Sequence, residues 1–249
     1  MRSEAWDLAH AAAETAGVSL RPLTSLEDAD AILLVMIATW GNHQLLPREE
    51  ILALAESGNI PWGADAGGET IGFVLGWAGI DPEDGLHVHS HMLAALPDRR
   101  HRGVGYALKL AQRAACLDQD IHLVRWTFDP MISRNAWFNL GKLGVTADRF
   151  RRDFYGEMAD SLNAGERSDR LVVRWDLDRP PGPRVAPAAH RTVAVPREYE
   201  TLRASDPPAA LEERDRVAAA LEESFAAGNV VVAFDGPSAT YALAPEAVP

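Results

Sequence analysis

Arg100-His101-Arg102-Gly103-Val104-Gly105 lies between an apolar run ending at Leu96-Pro97 and a proline-free helical stretch. Glycine lets the backbone approach a ligand closely and adopt conformations that a β-carbon penalises. The first N–H groups of the following helix have no intrahelical acceptor, and the helix dipole adds partial positive charge there. Such a turn is a seat for a phosphate or pyrophosphate. Arg99, Arg100 and Arg102 form a local positive cluster in a chain of net charge −12, which suits a polyanionic ligand. The same acidic balance argues against a nucleic-acid partner.

The flanks agree. Leu86 to Leu96 alternates polar and apolar residues and then becomes apolar, as a mostly buried strand does. Gly103 to Leu117 places Leu108, Ala111 and Ala115 at helical spacing, and Ile121 to Phe128 reads as the next strand. Strand, glycine loop, helix and strand make a right-handed crossover. A dinucleotide fingerprint would need a third glycine where Leu108 stands, with an acidic residue about 20 positions further on. That reading fails.

The 249 residues allow one or two domains, and fractions of 47% hydrophobic and 24% charged residues are those of a globular protein. Upstream, Glu4 to Ala16 reads as a helix and Val18 to Leu23 as a strand. Thr24-Ser25-Leu26-Glu27-Asp28 carries capping chemistry for a helix to Trp40, and Pro47 to Ser57 suits another. Gly67-Gly68 marks a hairpin between Pro61–Ala66 and Glu69–Ile80. Ala147–Tyr155 and Arg170–Leu177 are further strands. The prolines from Asp178 to Arg184 read as a linker. Beyond them Thr192–Val195, Ala209–Ala227, Val230–Phe234 and Thr240–Leu243 read as strand, helix and hairpin. The expected domains are 1–178, with an N-terminal helix over 1–17, a linker over 179–191, and a small α+β extension over 192–249. Cys116 is the only cysteine and reads as a buried apolar residue. With no signal segment and no run of the ~20 apolar residues a bilayer requires, the expectation is a cytoplasmic protein without a membrane partner.

The Arg-x-x-Gly-x-Gly loop resembles the acyl-CoA pyrophosphate loop of the GNAT superfamily of N-acetyltransferases. Pro97, six residues before Gly103, and the run Ser133 to Gly144 ending in Lys-Leu-Gly resemble the same superfamily. Trp126-Thr-Phe-Asp129-Pro130, Asn135-Ala-x-x-Asn139, Tyr155-Gly-x-Met158 and Ser168-Asp169-Arg170-Leu171 resemble an uncharacterised branch of predicted GNAT superfamily acetyltransferases. The resemblance covers roughly residues 18–178. It implies a mixed α/β (α+β) GNAT fold around a central mixed sheet, here with the C-terminal α+β extension. It also implies acetyl-CoA or another acyl-CoA as co-substrate and transfer to the amine of a small molecule or amino acid. The pyrophosphate would be held at Arg100, His101, Arg102, Gly103, Val104, Gly105 and Tyr106. The Leu93 and Ala95 backbone would hold the pantetheine arm, with Asn135 in contact with it. The two central strands would diverge to admit that arm. A homodimer is compatible with this reading.

His87, His89 and His91 alternate along the strand before the loop, so strict alternation puts all three on one face. An imidazole can accept a proton at neutral pH. In register, His89 and His91 resemble the paired strand histidines of arylalkylamine acetyltransferases, with His91 the principal base and His89 its relay. A solvated or core-satisfied histidine row is the bland alternative. Three alternating histidines can also share a zinc ion, but nothing fixes further ligands, and no metal is expected. Many GNAT enzymes carry a tyrosine where this chain has Leu140, so Tyr155 is the candidate general acid. Asn135 and Asn139 stand at i, i+4, as residues on one helix face do. Asp129 is a candidate for holding the substrate ammonium, or else a cap for the following helix. A GNAT-fold protein that binds acyl-CoA without turnover, as a sensor or assembly module, remains the alternative function.

Overall fold

The computed structural model describes residues 2–42, 45–99, 102–158, 165–184 and 190–245. Contacts divide the chain into two compact units, the first running to Val124 and the second starting at Arg125.

In the first unit, α1 (Arg2–Ala16) buries Ala5, Ala9 and Ala13, whose small side chains allow close packing on α4 (Val104–Asp118). Strand β1 (Ser19–Pro22) is followed by α2 (Leu26–Trp40) and α3 (Arg48–Glu56). Helix α2 begins where its capping chemistry predicts: Ser25 and Asp28 satisfy each other's backbone N–H in a capping box. Then come β2 (Trp62–Ala66), β3 (Glu69–Asp81) and β4 (Gly85–Ala95), with antiparallel pairing β1–β2–β3–β4. Gly67 and Gly68 both have positive φ, which the tight β2–β3 turn needs. Phe73, Leu75 and Ala94 join Ile32, Val35, Met36 and Ile51 in one core under α2 and α3. Val74, with Leu93 and Ala95 packed beside it, joins Val104 and Leu108 in another under α4.

Strand β5 (Leu123–Phe128) leads into the second unit. There α5 (Ser133–Ala136) passes into a π-helical turn, Trp137–Leu143, followed by β6 (Thr146–Arg151) and β7 (Arg170–Asp176). The chain continues through β8 (Arg191–Ala194), α6 (Tyr199–Ser205), α7 (Pro207–Ala226), β9 (Asn229–Asp235) and β10 (Thr240–Pro245). Neighbouring strands run β5-β7-β6-β9-β10-β8.

The proline stretch separates the sequence without separating the sheet. Strand β9 pairs with β6 at Ala147↔Val231, and the Tyr241 hydroxyl donates to the Pro130 carbonyl at 2.7 Å. Residues 190–245 thus share a unit with residues 125–158 and 165–184, across the stretch 179–191 that the sequence reads as a linker. An edge strand presents unpaired N–H and C=O groups, and β9 covers that edge of β6 at Ala147. Residues 185–189 of the expected linker lie outside the described residues. Helix α6 is not apparent from the sequence. Asn135 and Asn139 do not share a helix face: Asn135 is exposed, whereas Asn139 is buried and accepts from Trp126 Nε1 at 3.2 Å. The π-helical winding from Trp137 onward breaks the i, i+4 relation.

Candidate functional site

Strand β4 carries the histidines, and its pairing with β3 slips among them. Trp77 faces His89 and Gly76 faces Ser90, but Leu75 faces Met92, so His91 has no partner in the ladder. A bulge of this kind bends the strand, re-aims a side chain and leaves backbone polar groups unpaired. Gly76 makes it feasible, since a β-carbon there would lie 2.5 Å from the His89 carbonyl oxygen. The bulge also resets the alternation. Leu93 and Ala95 turn to the α4 side, whereas strict alternation from His91 would put them on the histidine side.

His89 and His91 do come together, with Trp77. Ring centroids lie 5.4 Å apart for Trp77–His89, 4.6 Å for Trp77–His91 and 5.8 Å for His89–His91. Burial, then the charges of His91, His87 and Lys109, push His89 down to about 4. His91 is exposed at its rim, yet the surrounding protein lowers its pKa as well. Both rings are therefore neutral at physiological pH. His87 lies on the same face but is held apart from the pair: it is buried, Nδ1 lies 3.0 Å from the Gly85 carbonyl, and its ring fills the space left by Gly79. Among the described residues no group of three His, Cys, Asp or Glu is disposed to hold a metal ion.

Beyond β4, Gly103 is the N-cap of α4 with φ 90°, a left-handed conformation that favours glycine. Among the described residues no side chain caps this helix, and the first backbone bond to Gly103 comes from Ala107. The N–H groups of Val104, Gly105 and Tyr106 thus have no acceptor within the helix. Arg102 and Gly103 are exposed and Gly105 half-buried; burial raises the Tyr106 phenol. Arg100 and His101, both expected at the phosphate, lie outside the described residues.

The remaining candidates belong to the second unit. Tyr155 is 42% exposed, its hydroxyl 3.1 Å from Thr127 Oγ1 and the Arg170 guanidinium 5.4 Å from its ring centre. Asp129 is already engaged. Its carboxylate accepts from Arg214 at 2.9 and 3.3 Å and from the Met131 backbone N–H at 2.8 Å. These bonds are those of the capping and anchoring alternative for Asp129.

Two participants are missed by the sequence reading. Trp77 is identified only by the β3–β4 register. Lys109 is buried at 2% exposure, its Nζ 2.8 Å from Ser90 Oγ and 2.9 Å from Gln112 Oε1, and burial lowers it to about 7. A signal did exist: Lys109, Gln112, Arg113 and Cys116 recur at helical spacing along one stripe of α4. Burial pushes Cys116 up to about 12, so it is no thiolate nucleophile.

No protein-family model and no curated protein matches the chain. Solved structures do. Naa20 of Chaetomium thermophilum, in complex with a bisubstrate analogue, is 19% identical over 65% of this chain and 88% of its own, with a TM-score of 0.52. The GNAT-like decarboxylase GphF, in complex with isobutyryl-CoA, is 16% identical over 64% and 99%, with a TM-score of 0.51. The ribosomal-protein-S18-alanine N-acetyltransferase of Escherichia coli is 12% identical over 70% and 99%, with a TM-score of 0.50. The likeness is one of fold: the chain has the GNAT fold.

Proposed function

We propose that this GNAT-fold chain is an acyl-CoA-dependent N-acyltransferase, with acetyl-CoA the first candidate donor and a small amine or amino acid the acceptor. The observation that carries the reading is the β4 register break, which presents His91 beside His89 and Trp77 on a strand leading to the uncapped start of α4. The solved relatives bound to a bisubstrate analogue and to isobutyryl-CoA support an acyl-CoA ligand in this fold.

In this reading the N–H groups of Val104, Gly105 and Tyr106, with the preceding arginines, hold the pyrophosphate, and the Leu93 to Ala95 backbone holds the pantetheine arm. Asn135, exposed on α5, is a further contact for that arm. The acceptor nitrogen attacks the thioester carbonyl, and His91 takes the proton that the nitrogen loses. Neutral His89 orients it. A backbone N–H freed by the bulge donates to the developing oxyanion. The C–S bond then breaks, and the thiolate takes a proton, for which the Tyr155 hydroxyl is the proposed donor. Holding donor and acceptor together supplies much of the rate.

The test is acyl transfer from several acyl-CoAs to an amine library, followed by free-thiol release. His91→Gln should reduce turnover by roughly 10²–10⁴-fold with CoA affinity unchanged. Near-normal turnover in that variant would remove His91 as base; absence of CoA binding by the wild type would remove the reading. Leu140, 1% exposed where the resemblance implies a tyrosine, favours a second reading of acyl-CoA binding without turnover. That reading predicts CoA binding with no thiol release from any acceptor.

A further inference from the structure

We propose that Lys109 is a positioning residue of the histidine site: from the opposite face of the sheet its amino group anchors Ser90, which fixes the register break at His91. The inference rests on the reading of that site as catalytic, but its geometry stands alone.

Ser90 is the last residue of β4 in register with β3 before the slip, facing Gly76. Its side chain turns towards α4, where Lys109 Nζ donates to Oγ at 2.8 Å and to Gln112 Oε1, one turn further on, at 2.9 Å. Ser90, Lys109 and Gln112 are all buried. Gly76 supplies room for the bulge, and the lysine bond holds one side of it in place. A methionine or leucine would fill the same volume without desolvating a charge, so a lysine here is costly as packing. What it provides is a donor that locks a serine and, below about pH 7, a positive charge behind an imidazole pair.

Other charges do not share this role. Helix α4 packs on α1, β1, β2, β3 and β4, and α2 packs on β4. These elements carry Arg2, Glu4, Asp7, His10 and Glu14 on α1, Glu27, Asp28 and Asp30 on α2, and Arg21, Asp65, Glu69 and Asp81 on the strands. Helix α4 itself carries a second buried cation, Arg113, one turn beyond Lys109; the groups that lower His89 besides burial are His91, His87 and Lys109.

The experiment is histidine-selective NMR titration of the full chain, comparing wild type with Lys109→Met and Ser90→Ala. Lys109→Met should fold but melt at a lower temperature, because it keeps the packing while leaving buried Ser90 and Gln112 without their donor. Its His89 midpoint should move up, and the His91 amide and ring signals should shift. Ser90→Ala keeps the charge and loses the anchor, so His91 signals should shift while the His89 midpoint stays. Histidine signals of Lys109→Met that superimpose on wild type at every pH would overturn the proposal. His91 signals that stay unmoved in Ser90→Ala would also overturn it. If the signals move as expected while His91→Gln transfers acyl groups normally, the anchor stands and the catalytic reading of the site falls.

Discussion

Arg214 is 1% exposed, yet it carries a full charge into the second unit. Burial works against the guanidinium, but Asp129, Tyr199 and Glu166 hold it charged, its pKa above the ordinary arginine value. It donates to Asp129 at 2.9 and 3.3 Å, to Glu166 at 2.6 Å and to the Tyr199 hydroxyl at 3.1 Å. Arg214→Met keeps the packing volume and strands two carboxylates, whose side chains are only 13% and 15% exposed. Breaking a buried pair from one side costs about 3–5 kcal/mol. Here the lower end applies. Asp129 keeps the Met131 N–H, and Glu166 keeps the Tyr199 hydroxyl at 2.7 Å. A loss of about 3 kcal/mol corresponds to roughly 6–12 °C in Tm for a chain of this size. Urea unfolding followed by circular dichroism measures it. The control is Asp129→Asn, Glu166→Gln and Arg214→Met together, which removes the charges as a set and should recover most of the loss. A single variant that loses under about 1 kcal/mol, or a triple variant no more stable than the single, would refute the reasoning that this cluster is held by charge pairing.

His89 sits near 4 when folded against 6.5 in the unfolded chain. Between those values the unfolded chain binds more protons, so stability present above pH 6.5 is lost as pH falls towards 4, by about 3 kcal/mol at most; His89→Gln should flatten that slope in pH-dependent unfolding. Because the His91 pKa is lowered too, turnover should persist to lower pH than an ordinary histidine base allows, and an acid limb centred at or above 6.5 would contradict this. At the glycine loop the two glycines should behave differently. Gly103→Ala, at φ 90°, should lose about 1–2 kcal/mol by thermal unfolding. Gly105→Glu should fold normally, since a β-carbon there meets only Leu93 at 3.7 Å, while calorimetry with CoA shows at least about tenfold weaker binding. Truncation after Leu177 removes β9 and Arg214 together and should give insoluble or unfolded protein; a soluble, cooperatively folding product would show that residues 190–245 are dispensable.

Local chemistry determined the elements. The Ser25–Asp28 capping box, the Gly67-Gly68 turn and the Gly103 N-cap each require only residues adjacent in sequence, and each is where the pattern puts it. The order β1-α2-α3-β2-β3-β4-α4-β5-α5-β6-β7, and with it the GNAT fold, was legible for the same reason. Tertiary structure alone decided what the site contains. The break at His91 depends on Gly76 across the ladder and on Lys109 from another helix, so alternation along β4 gives the wrong face for Leu93 and Ala95. Asp129 reads as open to a ligand until Arg214, far along the chain, reaches it. A strand's register and a buried charge's partner are set by surfaces that meet only on folding, and a linear pattern does not encode which surfaces will meet.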